Sequence, residues 1–194
     1  MYTRQFLMGK NIVVYDLEIK EEIGKNGIGW ESYREMGISV GCAFDYRSYK
    51  FRVFLDDNIS ELAARLNEPQ TLIVAFNHVQ FDNNLLRAHT NLNADSALNN
   101  YDMLIASRAA CKVDKFTKGF TLDQHLAFMQ LPMKTANGAM APVWWQEGKY
   151  GKVIDYCLND VMVEKQLFDH IWMTGKMASG YKTTPYDVVR PVIK

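Results

Sequence analysis

An α/β domain, built on a mixed β-sheet flanked by helices, is the fold class the sequence predicts, and three observations carry it. Strand signals cluster early, at 11–18, 37–45 and 49–55. A short continuous apolar run, TLIVAF at 71–76, reads as a strand buried on both faces. The rest of the chain is mostly helical in pattern, and the longest such stretch closes it at 152–175. Three strands in a meander, then helix, buried strand and more helices, imply antiparallel strands on one side of the sheet and parallel strands on the other.

Taken in order, NIVVYDLE opens with residues that favour a pleated, buried surface and runs into two acids. GKNGIG then supplies a flexible turn region and does not match the phosphate-loop pattern GxxxxGK[ST]. GISVGCAFD and YKFRVFL lie close enough to form a hairpin with its turn at 46–49. DNISELAARLN starts a helix at Asp57 or Asn58, and Pro69 stops it. After the buried strand, FDNNLLRAH, DMLIASRAACK and TLDQHLAFMQ read as helices, with Asp102 expected to cap the second and Thr121 or Asp123 the third. Gly175 ends the last helix.

The length, 194 residues, suits one domain spanning 1–194. Hydrophobic residues make up 48% and charged residues 23%, which argues against disorder. No apolar run reaches membrane-span length, and MYTRQFLMGK lacks the core and cleavage site of a signal peptide. Cys42, Cys111 and Cys157 are odd in number, far apart and free of any CxxC pair, as reduced thiols in the cytoplasm would be. Lys plus Arg equals Asp plus Glu at 22 each. That balance excludes a protein that grips long stretches of nucleic acid by basic excess alone.

The acids then raise a question of purpose. Asp16 and Glu18, one residue apart in a strand, point to the same side of the sheet and repel. Asp82 follows the buried strand, and Tyr156 and Asp160 share one face of the last helix at i,i+4 spacing. If strand 11–18 neighbours strand 71–76, these groups converge at one sheet edge. Four convergent carboxylates need a cation to stay ionised together, and hard oxygen donors select Mg²⁺ or Mn²⁺. Two such ions roughly 4 Å apart suit phosphodiester hydrolysis.

The three motifs Asp16-Leu17-Glu18, Asn77 to Asp82 (NHVQFD) and Tyr156 to Asp160 (YCLND) resemble those of the DEDD-type 3′–5′ exonucleases, in their tyrosine subclass. The NxxxFD form is similar to the proofreading domains of family B polymerases and to stand-alone bacterial and phage relatives. The likeness extends over roughly residues 11–175. The histidine subclass would put His at 155, where this chain has Asp155. Two positions depart from the family pattern, Ile19 where Thr is common and His78 where a small residue is common; neither is a metal ligand.

The resemblance implies a ribonuclease H-like fold and a metal-dependent enzyme that hydrolyses single-stranded nucleic acid, DNA above RNA, from its 3′ end. Asp16, Glu18, Asp82 and Asp160 would hold two Mg²⁺ or Mn²⁺ ions, and Tyr156 would orient the attacking water. Leu17, Asn77 and Phe81 would contact the terminal nucleotides. Alternatives on the same fold are a non-catalytic nucleic-acid-binding or scaffolding module, an exoribonuclease that trims RNA, and an endonuclease that cuts circular strands. His78, His89, His125 and His170 are expected to be structural, and Trp144 and Trp145 to pack on the core. Arg108, Lys112, Lys115 and Lys118 form either a solvated face or a patch that guides a strand.

Overall fold

The computed structural model describes residues 7–133 and 138–193. The first six residues, which belong to the opening stretch weighed as a signal peptide, lie outside that range. β1 (Ile12–Ile19) is the centre of a five-stranded sheet. On one side it pairs antiparallel with β2 (Ile38–Asp45), which pairs antiparallel with β3 (Lys50–Phe54). On the other it pairs parallel with β4 (Leu72–Ala75), which pairs parallel with β5 (Asn99–Asp102). The order β3-β2-β1-β4-β5 is the mixed arrangement expected, with β5 as an addition.

Between these strands lie α1 (Tyr33–Met36), α2 (Ile59–Leu66) and α3 (Asp82–His89). After β5 come α4 (Met103–Cys111), α5 (Leu122–Phe128), α6 (Ala141–Gln146) and α7 (Tyr150–Thr174). A two-stranded sheet, β6 (Lys176–Met177) with β7 (Tyr186–Asp187), follows. Asp102 caps α4, accepting from the N–H groups of Leu104 and Ile105. Thr121 caps α5 in a reciprocal box with Gln124, so Asp123 is not the cap. Asn58 stands at the N-cap of α2 but its side chain accepts from Leu55 N–H instead.

Alternation along β1 splits the core in two. Ile12 and Val14 pack with Val153, Cys157, Val161 and Phe168 of α7. Val13, Tyr15, Leu17 and Ile19 pack on the opposite face with Leu62 of α2 and Leu85 of α3. Each such fully buried aliphatic side chain contributes about 1.5–3 kcal/mol, so α7 is firmly seated over β1. Asp16 and Glu18 share the parity of Ile12 and Val14 and therefore rise toward α7. Gly175, at φ 68°, ends that helix in the left-handed conformation a glycine adopts without strain.

Pairing of β1 with β4 runs only from Ile12 to Val14, so the last turns of β1 project past its parallel neighbour. The register with β2 also shifts between Glu18 and Ile19, a bulge of the kind that re-aims side chains. A crevice opens where β1 and β4 end, beside the point at which the sheet changes from antiparallel to parallel. Open α/β sheets bind ligands in such crevices.

Candidate active site

The crevice is a cleft of about 690 Å³. Asp16, Leu17 and Glu18 from β1 line it, with Asn77 and Phe81 from the turn after β4 and Asp82 from the start of α3. Tyr156 and Asp160 of α7 complete it. All eight residues singled out from the sequence thus border one space. Glu18, Asp82, Tyr156 and Asp160 are buried in its walls, and Asp16 is half-buried. Asp155, where the histidine subclass would carry its histidine, is exposed and is not part of the lining.

The turn that carries Asn77, Phe81 and Asp82 is held from β5. One Asp102 oxygen accepts from Asn77 N–H at 3.1 Å and the other from Val79 N–H at 3.2 Å. Asn77 takes φ 69°, a conformation asparagine tolerates better than most residues. Its carbonyl then accepts from Phe81 N–H at 3.2 Å, and the His78 carbonyl accepts from Asn83 N–H at 2.8 Å. Asn83 in turn accepts from the Tyr15 hydroxyl at 2.6 Å and donates to Asp95 at 2.6 Å. Burial first, then the charges of Asp82 and Asp16, pushes the Tyr15 phenol well above its ordinary value, so it stays a donor. A buried tyrosine that feels the negative field of the cleft thereby fixes the base of α3.

Cys157 lies one residue after Tyr156, its sulfur 3.4 Å from the Asp16 carbonyl and 3.8 Å from an Asp16 carboxylate oxygen. Ligand atoms of Asp16, Glu18 and Cys157 all lie within 4.8 Å of one another. Burial, with the Cys42 contact and the Asp16 charge, pushes the thiol up, leaving a neutral thiol among carboxylates. All three cysteines are free. Tyr156 packs edge-on against Trp144, ring centroids 6.1 Å apart, and a Cβ at Gly138 would stand 3.3 Å from its hydroxyl. Gly138 therefore lies close against the phenol.

The structure also brings in residues that no motif marked. Glu22, Trp30, Phe76 and Pro142 line the cleft, and Trp30 stands at its rim, 70% exposed, with its ring edge-on to Phe81. Glu164, one turn beyond Asp160, is buried and adds to the field on Tyr15. Spacing of i,i+4 from Asp160 is the one signal that could have flagged it. His78 and His125 are fully buried and serve packing: His78 bonds Asn100, and His125 bonds Ser107 and the Thr121 carbonyl, its burial lowering it to about 4. His89 contacts the Tyr33 carbonyl. Trp144 and Trp145 sit on α6, half-buried against the core.

No family model matches the chain, and no curated protein matches it. Solved structures do. The family B DNA polymerase of the hyperthermophilic archaeon Pyrobaculum calidifontis is similar at TM-score 0.63 and 16% identity, over 83% of this chain and 24% of that one. E. coli Exonuclease I in complex with a dA16 oligonucleotide is similar at TM-score 0.51 and 13% identity, over 84% and 40%. At these identities the likeness is one of fold. The mixed sheet flanked by helices is the ribonuclease H-like class expected from the sequence. This chain spans less than half the length of either neighbour. No helix among the described residues is long and apolar enough to cross a membrane.

Proposed function

We propose that this chain is a 3′–5′ exonuclease of the tyrosine subclass, dependent on divalent metal, that hydrolyses single-stranded nucleic acid and favours DNA. The carrying observation is that Asp16, Glu18, Asp82, Asp160 and Tyr156, drawn from three separate motifs, border one cleft at the carboxyl ends of β1 and β4. Support comes from the neighbours, one a family B DNA polymerase and the other Exonuclease I in complex with a dA16 oligonucleotide.

The donor set fits a hard cation. Four carboxylates supply oxygen atoms, two of them gathered within 4.8 Å together with a thiol that burial keeps neutral. Asp16, Glu18, Asp82 and Asp160 would hold two Mg²⁺ or Mn²⁺ ions. Such ions lower the pKa of bound water and stabilise the leaving oxygen of a phosphodiester. The chain's own residues do the rest. Tyr156, fixed by Trp144 and the segment at 138–140, offers its hydroxyl to orient the attacking water. Asn77 and Phe81, on a turn locked by Asp102, and Leu17, beside the two strand acids, border the space for the terminal nucleotides. Phe81 offers a ring face on which a base can stack. Grip on a few nucleotides suits a chain of zero net charge that works in the cytoplasm.

Digestion of 5′-labelled single-stranded DNA and RNA of matched sequence tests this reading. With Mg²⁺ or Mn²⁺ a descending ladder is expected, faster on DNA, and chelator should abolish it. Hydrolysis indifferent to chelator overturns the proposal.

A further inference from the structure

A second groove, also of about 690 Å³, adjoins the acidic cleft and shares Phe76 and Asn77 with it. Its character is opposite. Arg108 of α4 lines it, as do Lys115 and Lys118 of the connection to α5, and no acidic residue does among the described residues. Lys112, the fourth basic residue of this run, is outside the lining. In a chain of zero net charge this is a local concentration of positive charge.

The groove is built rather than incidental. Asp114 accepts from the N–H groups of Phe116 and Thr117 and from the Thr117 hydroxyl, at 2.9–3.0 Å, which fixes the loop bearing Lys115 and Phe116. Gly119, at φ 95°, presses against the strap after β6, and a Cβ there would stand 2.5 Å from Tyr181 N. Tyr181 N–H donates to the Gly119 carbonyl at 3.1 Å, and the Phe120 and Tyr181 rings stack at 5.3 Å. On this anchored loop Phe116 is 80% exposed, an apolar ring held in solvent with the Lys115 ammonium 5.3 Å from its centre. Arg108 lies over Phe120 at 5.9 Å, and its Nε is buried with no hydrogen-bond partner among the described residues. A buried guanidinium N–H left unsatisfied costs stability unless a ligand oxygen reaches it.

We propose that this groove carries the phosphodiester backbone of the single strand upstream of its 3′ end, with Arg108, Lys115 and Lys118 on phosphates and Phe116 stacking a base. Cations interleaved with an exposed ring are the chemistry of a sequence-tolerant single-strand track. Continuity through Phe76 and Asn77 gives that strand a route into the cleft. The inference rests on the cleft being where the 3′ end is held, and it names the feature that selects a single strand of several nucleotides.

Binding of 5′-labelled oligo(dT) and oligo(U), in excess chelator so that nothing is cut, tests it. Across lengths of about 3 to about 12 nucleotides, affinity should rise until the groove is filled and then level off. Replacing Lys115 and Lys118 together by Ala should flatten the length dependence. It should also lower the slope of log affinity against log salt by about 1.4, at about 0.7 per phosphate contact, so that between about 50 and about 200 mM salt the wild type loses about sevenfold more affinity than the variant. The Lys115→Arg, Lys118→Arg pair should keep the slope, which a merely structural role would not require. Parallel behaviour of the two oligonucleotides assigns the groove to backbone phosphate, and a preference for one assigns it to a sugar-selective strand track. An unchanged slope in the Ala pair, or equal displacement by oligo-glutamate, overturns the proposal. A protein that binds with the expected slope yet digests nothing with Mg²⁺ or Mn²⁺ keeps the groove and loses the exonuclease reading. One that digests from the 3′ end with the slope unaltered does the reverse.

Discussion

The two ends of β1 treat carboxylates in opposite ways. At its start, Val13 lies beside Asp45 of β2, a buried acid that carries its own cation. Arg65 of α2 holds Asp45 through two nitrogens, at 2.9 and 3.3 Å, and also donates to Thr71 at 2.8 Å. Burial pushes the Asp45 carboxyl up, but the Arg65 hydrogen bond, Arg47 N–H and both guanidinium charges outweigh it and hold it below 3.8. At the other end Asp16, Glu18, Asp82 and Asp160 line the cleft. The first arrangement sets a guanidinium on a buried acid and serves stability. The second concentrates negative charge where a solute can reach it. Asp102 stands between the two kinds: it sits at the cleft end, but four backbone N–H groups consume its oxygens. Position at the sheet edge therefore does not by itself mark a chemical acid; what the carboxylate faces does.

The largest effect should come from the open end. Asp16→Ala is expected to lower turnover by about 10²–10³-fold or more, the scale of removing a group that stabilises transition-state charge. Thermal stability without metal should hold or rise, because one of several mutually repelling carboxylates is gone. Near wild-type turnover at saturating Mg²⁺ would remove Asp16 from the site. The closed end should show the reverse pattern. Arg65→Ala strands Asp45 and should cost about 3–5 kcal/mol by denaturant melts, with catalysis intact in the folded fraction. A depressed carboxyl contributes stability that is present above its unfolded value and is lost on acidification through the folded one. The penalty for losing Arg65 should therefore be largest near neutrality and shrink as the pH falls below about 3.8.

Asp102 sharpens the contrast because it should move both readouts. Asp102→Ala removes a helix cap and two anchors of the turn bearing Asn77, and should cost about 2–4 kcal/mol while also lowering turnover. Asp102→Asn should recover most of both. The oxygen it keeps can serve Asn77, Leu104 and Ile105, and only Val79 N–H then meets an amide donor. If the asparagine variant is as damaged as the alanine one, charge rather than geometry holds the turn. Tyr156→Phe is the smallest change. It keeps the ring that packs on Trp144 and removes only the hydroxyl, and the single-turnover rate should fall by about 10²-fold or less, with little change in affinity. An unchanged rate would leave Tyr156 a packing residue.

Much of this was legible in the sequence because it rests on local rules. Parity along β1 put Asp16 and Glu18 on one face, and helical spacing did the same for Tyr156 and Asp160. Asp102 announced its cap by residue type, and residue type narrowed the next cap to Thr121 or Asp123, of which the structure uses Thr121. The missing parts depend on tertiary placement. β5 reads NNYD, with no apolar alternation, and exists because β4 offers it a parallel partner at the sheet edge. That same pairing gives Asp102 its second task, which no cap signal contains. The bulge at Glu18 comes from a register shift against β2, and Trp30, far from any motif in sequence, stands at the rim with its ring edge-on to Phe81. Phe116 was hidden in a basic run whose loop is shaped by Asp114 and Gly119.

The most direct measurement sets two single strands of one sequence side by side, one linear with a 5′ label and one closed into a circle, with Mn²⁺. An acidic cleft that holds a 3′ end should shorten the linear strand to a descending ladder and leave the circle whole, and chelator should stop the reaction. A nicked circle, or a single internal fragment from the linear strand, would contradict exonucleolysis from the 3′ end.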